Sequence, residues 1–433
     1  MPDYIKTLLP PEVYQHYCYD IEKMKALQAE TVGFKAPDVV GKIAPEITPG
    51  KYTFKDIQTK PGLKELMIPL MYEKFFRQAG PPLGGTFSEF EIVPTWQYYN
   101  ALPQLQATLK YKGKAKVDDQ GFLDWKSWEG GIPFPRPFGS DRMKAMQFIY
   151  NTEMTHRGAD GLIAPAASKG WNKKFDPISG SIAHMLIFTI AGRVTDEPLG
   201  WLDERAKSLG EFQIRGGPMV QPRDMYGNVT LIVSTLDPNE SNKMYAYAAM
   251  LRRVRKMSGT DSQDTVVGAN VIFDDSGGFN RKLSPDQFPY EYKILADREY
   301  LVPAYLVPGD TFYLTSKELE FRNLKMVRRP MIVVELIQKD PAYVYGRTVL
   351  YFDKETFDLF LNESYDQKGR LFRVAFNFAW SFNPATGIRN PAYLPSYNMQ
   401  VEQTAVNWSP GIVPINYWTR GDFSLSKLQH FTK

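Results

Sequence analysis

The run Leu251-Arg252-Arg253-Val254-Arg255-Lys256 sets four cations in six residues. Its chemistry would be anion recognition, with a lipid phosphate, a carboxylated ligand or an acidic partner surface as the target. The bland alternative is a strand whose arginines alternate between solvent and salt bridges to Asp261, Asp264, Asp274 and Asp275. The second cluster, Asp274-Asp275-Ser276-Gly277-Gly278, offers two carboxylates for a cation. Its spacing is not that of an EF-hand loop, and a tight polar turn is the better reading. The four histidines, His16, His156, His184 and His430, are scattered and do not pair at metal-ligand spacing. No GxSxG elbow, phosphate-binding loop, GxGxxG fingerprint or HExxH motif occurs. Catalytic, cofactor and metal sites are therefore not expected, and the protein is not read as an enzyme.

Apolar chemistry is far better represented. From Phe372 every second residue is large and apolar: Phe372, Val374, Phe376, Phe378 and Trp380. That period of two gives one aromatic sheet face, which protein or a ligand must cover. Further upstream, Gly130 to Phe138 holds three prolines spaced by two, so it reads as stiff and extended. Phe134 and Phe138 could point at an apolar cavity as a lid or docking loop, or simply fill local gaps, and Trp125 and Trp128 extend either role.

These residues need elements to hold them. Tyr343 to Phe382 reads as three antiparallel strands with turns at Asp353–Thr356 and Asp366–Gly369. Further strands are expected at Phe87–Thr95, Gln104–Val117, Phe122–Trp128, Ser181–Arg193, Asn228–Leu236, Met244–Met257, Val266–Phe273, Tyr290–Ala296 and Met331–Gln338. Helices are expected over Pro11–Glu30, over Leu63–Gln78 with a kink or a late start at Pro69, and from Arg142 to Met154 with Ser140 or Asp141 as cap. The tail from Asn383 shows no clear period.

The chain has 433 residues, 43% of them hydrophobic and 14% aromatic, enough for a large core. Its net charge of +4 argues against a dedicated nucleic-acid binder. A lone cysteine, Cys18, excludes an intrachain disulfide and a CxxC motif, and reads as a small buried apolar residue. No apolar run is long enough for a transmembrane helix. The opening MPDYIKTLLPPEVY lacks the pattern of a signal peptide. The chain is then cytoplasmic, or a mature form with an added Met1.

Four stretches resemble a known bacterial family. They are APDVVGKIAPEITPGKYTF (Ala36–Phe54), GGIPFPRPF (Gly130–Phe138), YAYAAMLRRVRKMSGTDSQDTVVGANVIFDD (Tyr245–Asp275) and YGRTVLYFDKETFDLFLNESYDQKGRL (Tyr345–Leu371). The family is a domain of unknown function labelled outer-membrane lipoprotein-sorting-like, similar in fold to the LolA/LolB lipoprotein carriers. The resemblance implies a mainly β (α+β) fold: a strongly curved antiparallel sheet, an incomplete barrel, covered by helices around an apolar cavity. It implies one elaborated domain over residues 1–433, with 1–80 as a helix-rich extension packed on the sheet. It also implies a periplasmic carrier for a lipid or other hydrophobic molecule, working with an RND-type exporter or an outer-membrane protein. The alternative is a non-carrier adaptor in such an export complex. Trp125, Trp128, Phe134, Phe138, Phe372, Phe376, Phe378 and Trp380 are the candidate apolar contacts, and Arg252, Arg253 and Arg255 the candidate head-group contacts.

Overall fold

The computed structural model describes residues 11, 20–77, 83–155, 158–257, 263, 270–275, 283–286, 289–315, 317–409, 411–424 and 427. Cys18, His16, His156, His430, Asp261, Asp264, Ser276-Gly277-Gly278, the start of the expected first helix and most of the expected strand Val266–Phe273 lie outside them.

Among the described residues the chain is mainly β, built on one 17-stranded sheet. We label its longer strands β1 (Gly161–Trp171), β2 (Pro177–Thr189), β3 (Glu211–Gln221), β4 (Val229–Thr235), β5 (Lys243–Ala248), β6 (Arg253–Met257), β7 (Tyr290–Pro303), β8 (Lys325–Gln338), β9 (Arg347–Asp353), β10 (Leu359–Tyr365), β11 (Leu371–Phe376), β12 (Ala379–Phe382), β13 (Arg389–Asn398) and β14 (Gln403–Trp408). The antiparallel pairings run β6-β5-β4-β3-β2-β1-β14-β13, continue through β11 and β12, then pass to β10-β9-β8-β7. The two ends, β6 and β7, do not pair among the described residues, so the sheet is curved and open rather than a closed barrel.

The middle of this sheet is apolar on both faces. In β8, Met331 and Val333 join one core, while Ile332, Val334 and Leu336 join another. This is the period-two alternation applied twice. The first core is closed by the N-terminal part of the chain: Leu63, Leu66, Met71, Phe75, Phe76 and Phe87 are all buried in it. The second is closed by helix α3 (Asp141–Met154), through Ala145, Met146, Phe148 and Ile149. Ser140 is its cap and accepts a hydrogen bond from the Met143 amide at 3.3 Å.

Several expectations need correction. Gln104–Val117 is not a strand; helix α2 (Leu102–Lys110) occupies its first half. Pro103 fits the first helical turn, and Leu102, Leu105 and Thr108 are buried at helical spacing. Phe122–Trp128 supplies only the two-residue strand Leu123–Asp124 and a 3-10 turn, Trp125–Ser127. Met244–Met257 is a hairpin, β5 and β6, and not one strand. Leu63–Gln78 breaks into a short helix, Gly62–Leu66, and a single π turn, Met71–Phe75. Met67 between them is extended, because Pro69 cannot donate to a continuing helix. The first described helix, α1, runs Ile21–Val32 with Asp20 as cap.

Candidate functional site

Helix α3 reaches past the central strands and packs its last turn against β2 to β5, where Met154 joins Leu186, Phe188, Ile214 and Leu231. Between α3 and β3, β4 and β5 lies a cavity of about 130 Å³. Its apolar wall includes Ile149, Phe212, Ile232, Leu236 and Met244. Arg215, Glu153, Asp274, Asn242, Ser234 and Thr235 supply the polar part.

Arg215 stands on β3 before Gly216 and Gly217, and its Nε donates to the Gln213 side chain. Burial lowers the Arg215 guanidinium below its ordinary value, and the nearby Glu153 charge opposes that shift. Arg215 thus shares the cavity with the carboxylates of Glu153 and Asp274, and the apolar wall is what the cavity offers a ligand. The glycines after it keep the sheet tight: a Cβ on Gly216 would stand 1.8 Å from the Thr230 carbonyl oxygen.

The expected site residues fall in five places. Trp125, Trp128 and Phe134 are buried in the core behind the cavity. The Trp128 ring lies 6.1 Å from Phe212, and Phe134 lies 6.2 Å from Tyr150. Both of those neighbours line the cavity. Trp128 also donates from Nε1 to the Gly131 carbonyl at 3.1 Å. Phe138, at the end of the proline-spaced segment, is exposed, and its ring is 6.2 Å from Phe134.

Phe376, Phe378 and Trp380 share the first core with Val374, on the face away from α3. Phe376 meets Phe75 edge-on at 4.8 Å, and Phe378 stacks on Phe321 at 4.4 Å. The chain's own N-terminal part thus covers much of that aromatic face. Phe372 leaves the row. A bulge between the Ser364–Arg373 and Tyr365–Leu371 pairs turns it toward Tyr343 and Tyr345, under the Arg373 guanidinium at 4.2 Å.

Arg252, Arg253 and Arg255 sit at the tip and outer strand of the β5–β6 hairpin, exposed and without an ion pair to any described residue. Asp274 and Asp275 are engaged elsewhere: they accept hydrogen bonds from the Tyr343 and Tyr345 hydroxyls, each at 2.5 Å. Among the described residues no group of three or more His, Cys, Asp or Glu is placed to hold a metal ion. No described helix is long and apolar enough to cross a membrane.

Sequence reasoning missed Arg215 and the α3 wall. The available signal was an arginine in Phe212-Gln213-Ile214-Arg215-Gly216-Gly217, where an apolar strand meets two glycines.

The architecture is that of a mainly β protein with a large curved sheet that is not closed into a barrel. Residues 86–414 match the family described as "Protein of unknown function (DUF1329)", and the chain belongs to that family. No curated protein matches the chain in sequence. Solved structures similar to it include a domain from Vibrio parahaemolyticus whose assignment to outer membrane lipoprotein sorting is provisional. That domain is 14% identical, with TM-score 0.46, covering 66% of this chain and 98% of that one. A DUF1329 family protein from Desulfovibrio piger is 14% identical, with TM-score 0.43, covering 62% and 92%. A LolA superfamily protein from Nitrosomonas europaea is 12% identical, with TM-score 0.38, covering 65% and 98%. With scores below 0.5, these likenesses say nothing of ligands or partners.

Proposed function

We propose that the protein binds and carries a lipid or other hydrophobic molecule, in the bacterial periplasm and in service of an envelope export system. The observation that supports this reading is the cavity between α3 and β3–β5, apolar in its wall and holding Arg215. Its volume of about 130 Å³ is close to that of an engineered apolar cavity of ~150 Å³ that takes up benzene. The enclosed part of the cargo is thus a ring or a short chain segment. Each methylene buried there contributes ~0.8 kcal/mol, so affinity needs no catalytic group. Trp128 and Phe134 act from behind, holding Phe212 and Tyr150 in place.

Titration with a fluorescent long-chain carboxylate and with the matching alcohol tests this. Saturable binding is expected, lost at least tenfold in Ile232→Trp, which fills the cavity. Absence of binding, or unchanged binding by Ile232→Trp, would sink the proposal. Mass spectrometry of a solvent extract of the purified protein would then name the natural cargo.

A further inference from the structure

The tip of the β5–β6 hairpin is apolar where a tip is ordinarily polar. Met250 is 85% exposed and Leu251 70% exposed. The four-residue loop Ala249 to Arg252 follows the last strand pair, Ala248–Arg253, and closes with Arg252 at a positive φ of 50°. On the neighbouring β3–β4 connection Tyr226 is 54% exposed. The two connections are tied together, since the Ala249 amide donates to the Asn228 side chain at 3.0 Å.

Cations flank Met250, Leu251 and Tyr226 along the chain. Arg252, Arg253, Arg255 and Lys256 are exposed on the hairpin, and Arg223 is exposed beside Tyr226. Asp224 is the one exposed carboxylate on these two connections among the described residues. Among the described residues strand β6 is an edge of the sheet, and charge on an edge strand guards against unwanted pairing. That role explains β6 but not Met250, Leu251 or Tyr226.

We infer that the two connections dock the protein on the surface of an anionic lipid bilayer. Met250 and Leu251 enter the interface, while the arginines and Lys256 engage the head-group phosphates. Apolar side chains flanked by cations match a bilayer in both respects. An acidic protein surface would match the charge but leave the apolar tip without a partner. Met244 on the same strand lines the cavity, six residues or ~20 Å from the tip at ~3.3 Å per residue. The docked protein therefore holds its cavity just above the membrane.

Flotation of the full chain with vesicles tests the inference. Vesicles of phosphatidylglycerol with phosphatidylethanolamine should bind the protein, and phosphatidylcholine vesicles should not. Met250→Ser with Leu251→Ser should weaken binding at least tenfold with unchanged thermal unfolding. Arg253→Glu with Arg255→Glu should weaken it by about 30-fold or more and flatten its salt dependence. Ile232→Trp should leave flotation intact, which separates failure of this surface from failure of the cavity. Equal binding to neutral vesicles, no binding to anionic ones, or full binding by the serine variant would overturn the inference.

Discussion

Arg329 and Asp353 form a fully buried pair: Nε of Arg329 donates to one carboxylate oxygen at 2.6 Å and Nη2 to the other at 3.1 Å. The same guanidinium reaches Glu355 through Nη2 at 2.7 Å and the Trp96 carbonyl through Nη1 at 2.9 Å. Asp353 in turn accepts from the Glu355 and Thr356 amides at 2.7 and 3.0 Å. Glu355 accepts from the amides of Ala36 and Tyr98 at 2.9 and 3.2 Å. One turn between β9 and β10 thereby fastens the N-terminal part of the chain to the sheet.

Removing the cation should therefore be severe. Arg329→Met leaves two carboxylates buried, and losing one partner of such a pair costs ~3–5 kcal/mol. Urea denaturation should show a fall in midpoint of that order. A change below ~1 kcal/mol would mean that the carboxylates escape to water or take up protons at little cost.

The acid limb of stability carries two opposite signs. Glu355 shares one guanidinium with Asp353, so desolvation wins and its carboxyl titrates above the ordinary 4.5. A raised carboxyl favours the folded state below the unfolded value and loses that contribution as pH rises through the folded one. The unfolding free energy of the native protein minus that of Glu355→Gln should thus fall as pH rises above 4.5. Asp366 behaves oppositely. The Arg370 amide and its other donors hold it down to about 2, against an ordinary 3.8. Its contribution is present above 3.8 and is lost as pH falls toward 2. Asp366→Asn should flatten that part of the profile, read by thermal unfolding across an acid series.

Glycine is required at two successive places in β3. At Gly216 and Gly217 φ is +146° and +155°, and added Cβ atoms would stand 1.8 and 1.7 Å from the Thr230 and His184 carbonyl oxygens. Either alanine variant should lose ~3 kcal/mol or more, since backbone strain and a backbone clash combine. Gly309 is the control. Its φ is +100° but nothing lies within 4 Å, so Gly309→Ala should cost only ~1–2 kcal/mol. Equal losses in all three would place the whole effect in φ.

Where period and punctuation agreed, the fold was legible. Strands β9, β10 and β11 and the turns Asp353–Thr356 and Asp366–Gly369 fall where expected, although the third expected strand splits into β11 and β12. Arg142–Met154 was legible through its cap. Strand β13 was hidden by Pro391 and Pro395, which ordinarily demote a run from sheet. Strand β1 was hidden by Pro165 and its small residues. The aromatic row was legible as an apolar face, but period cannot say which part of the chain covers it. The cavity was not legible at all: Arg215 meets α3 only through tertiary packing, with 61 residues separating it from Met154 in sequence.

The contact of Phe75 with Phe376 also bears on how the chain is made. Some 300 residues separate the two rings. At a synthesis rate of ~5–20 residues per second, the partner follows by about 15–60 s. Throughout that interval Leu63, Leu66, Met71, Phe75 and Phe76 have no finished sheet to cover. The nascent chain thus carries a greasy stretch well before the strand that covers it has been made.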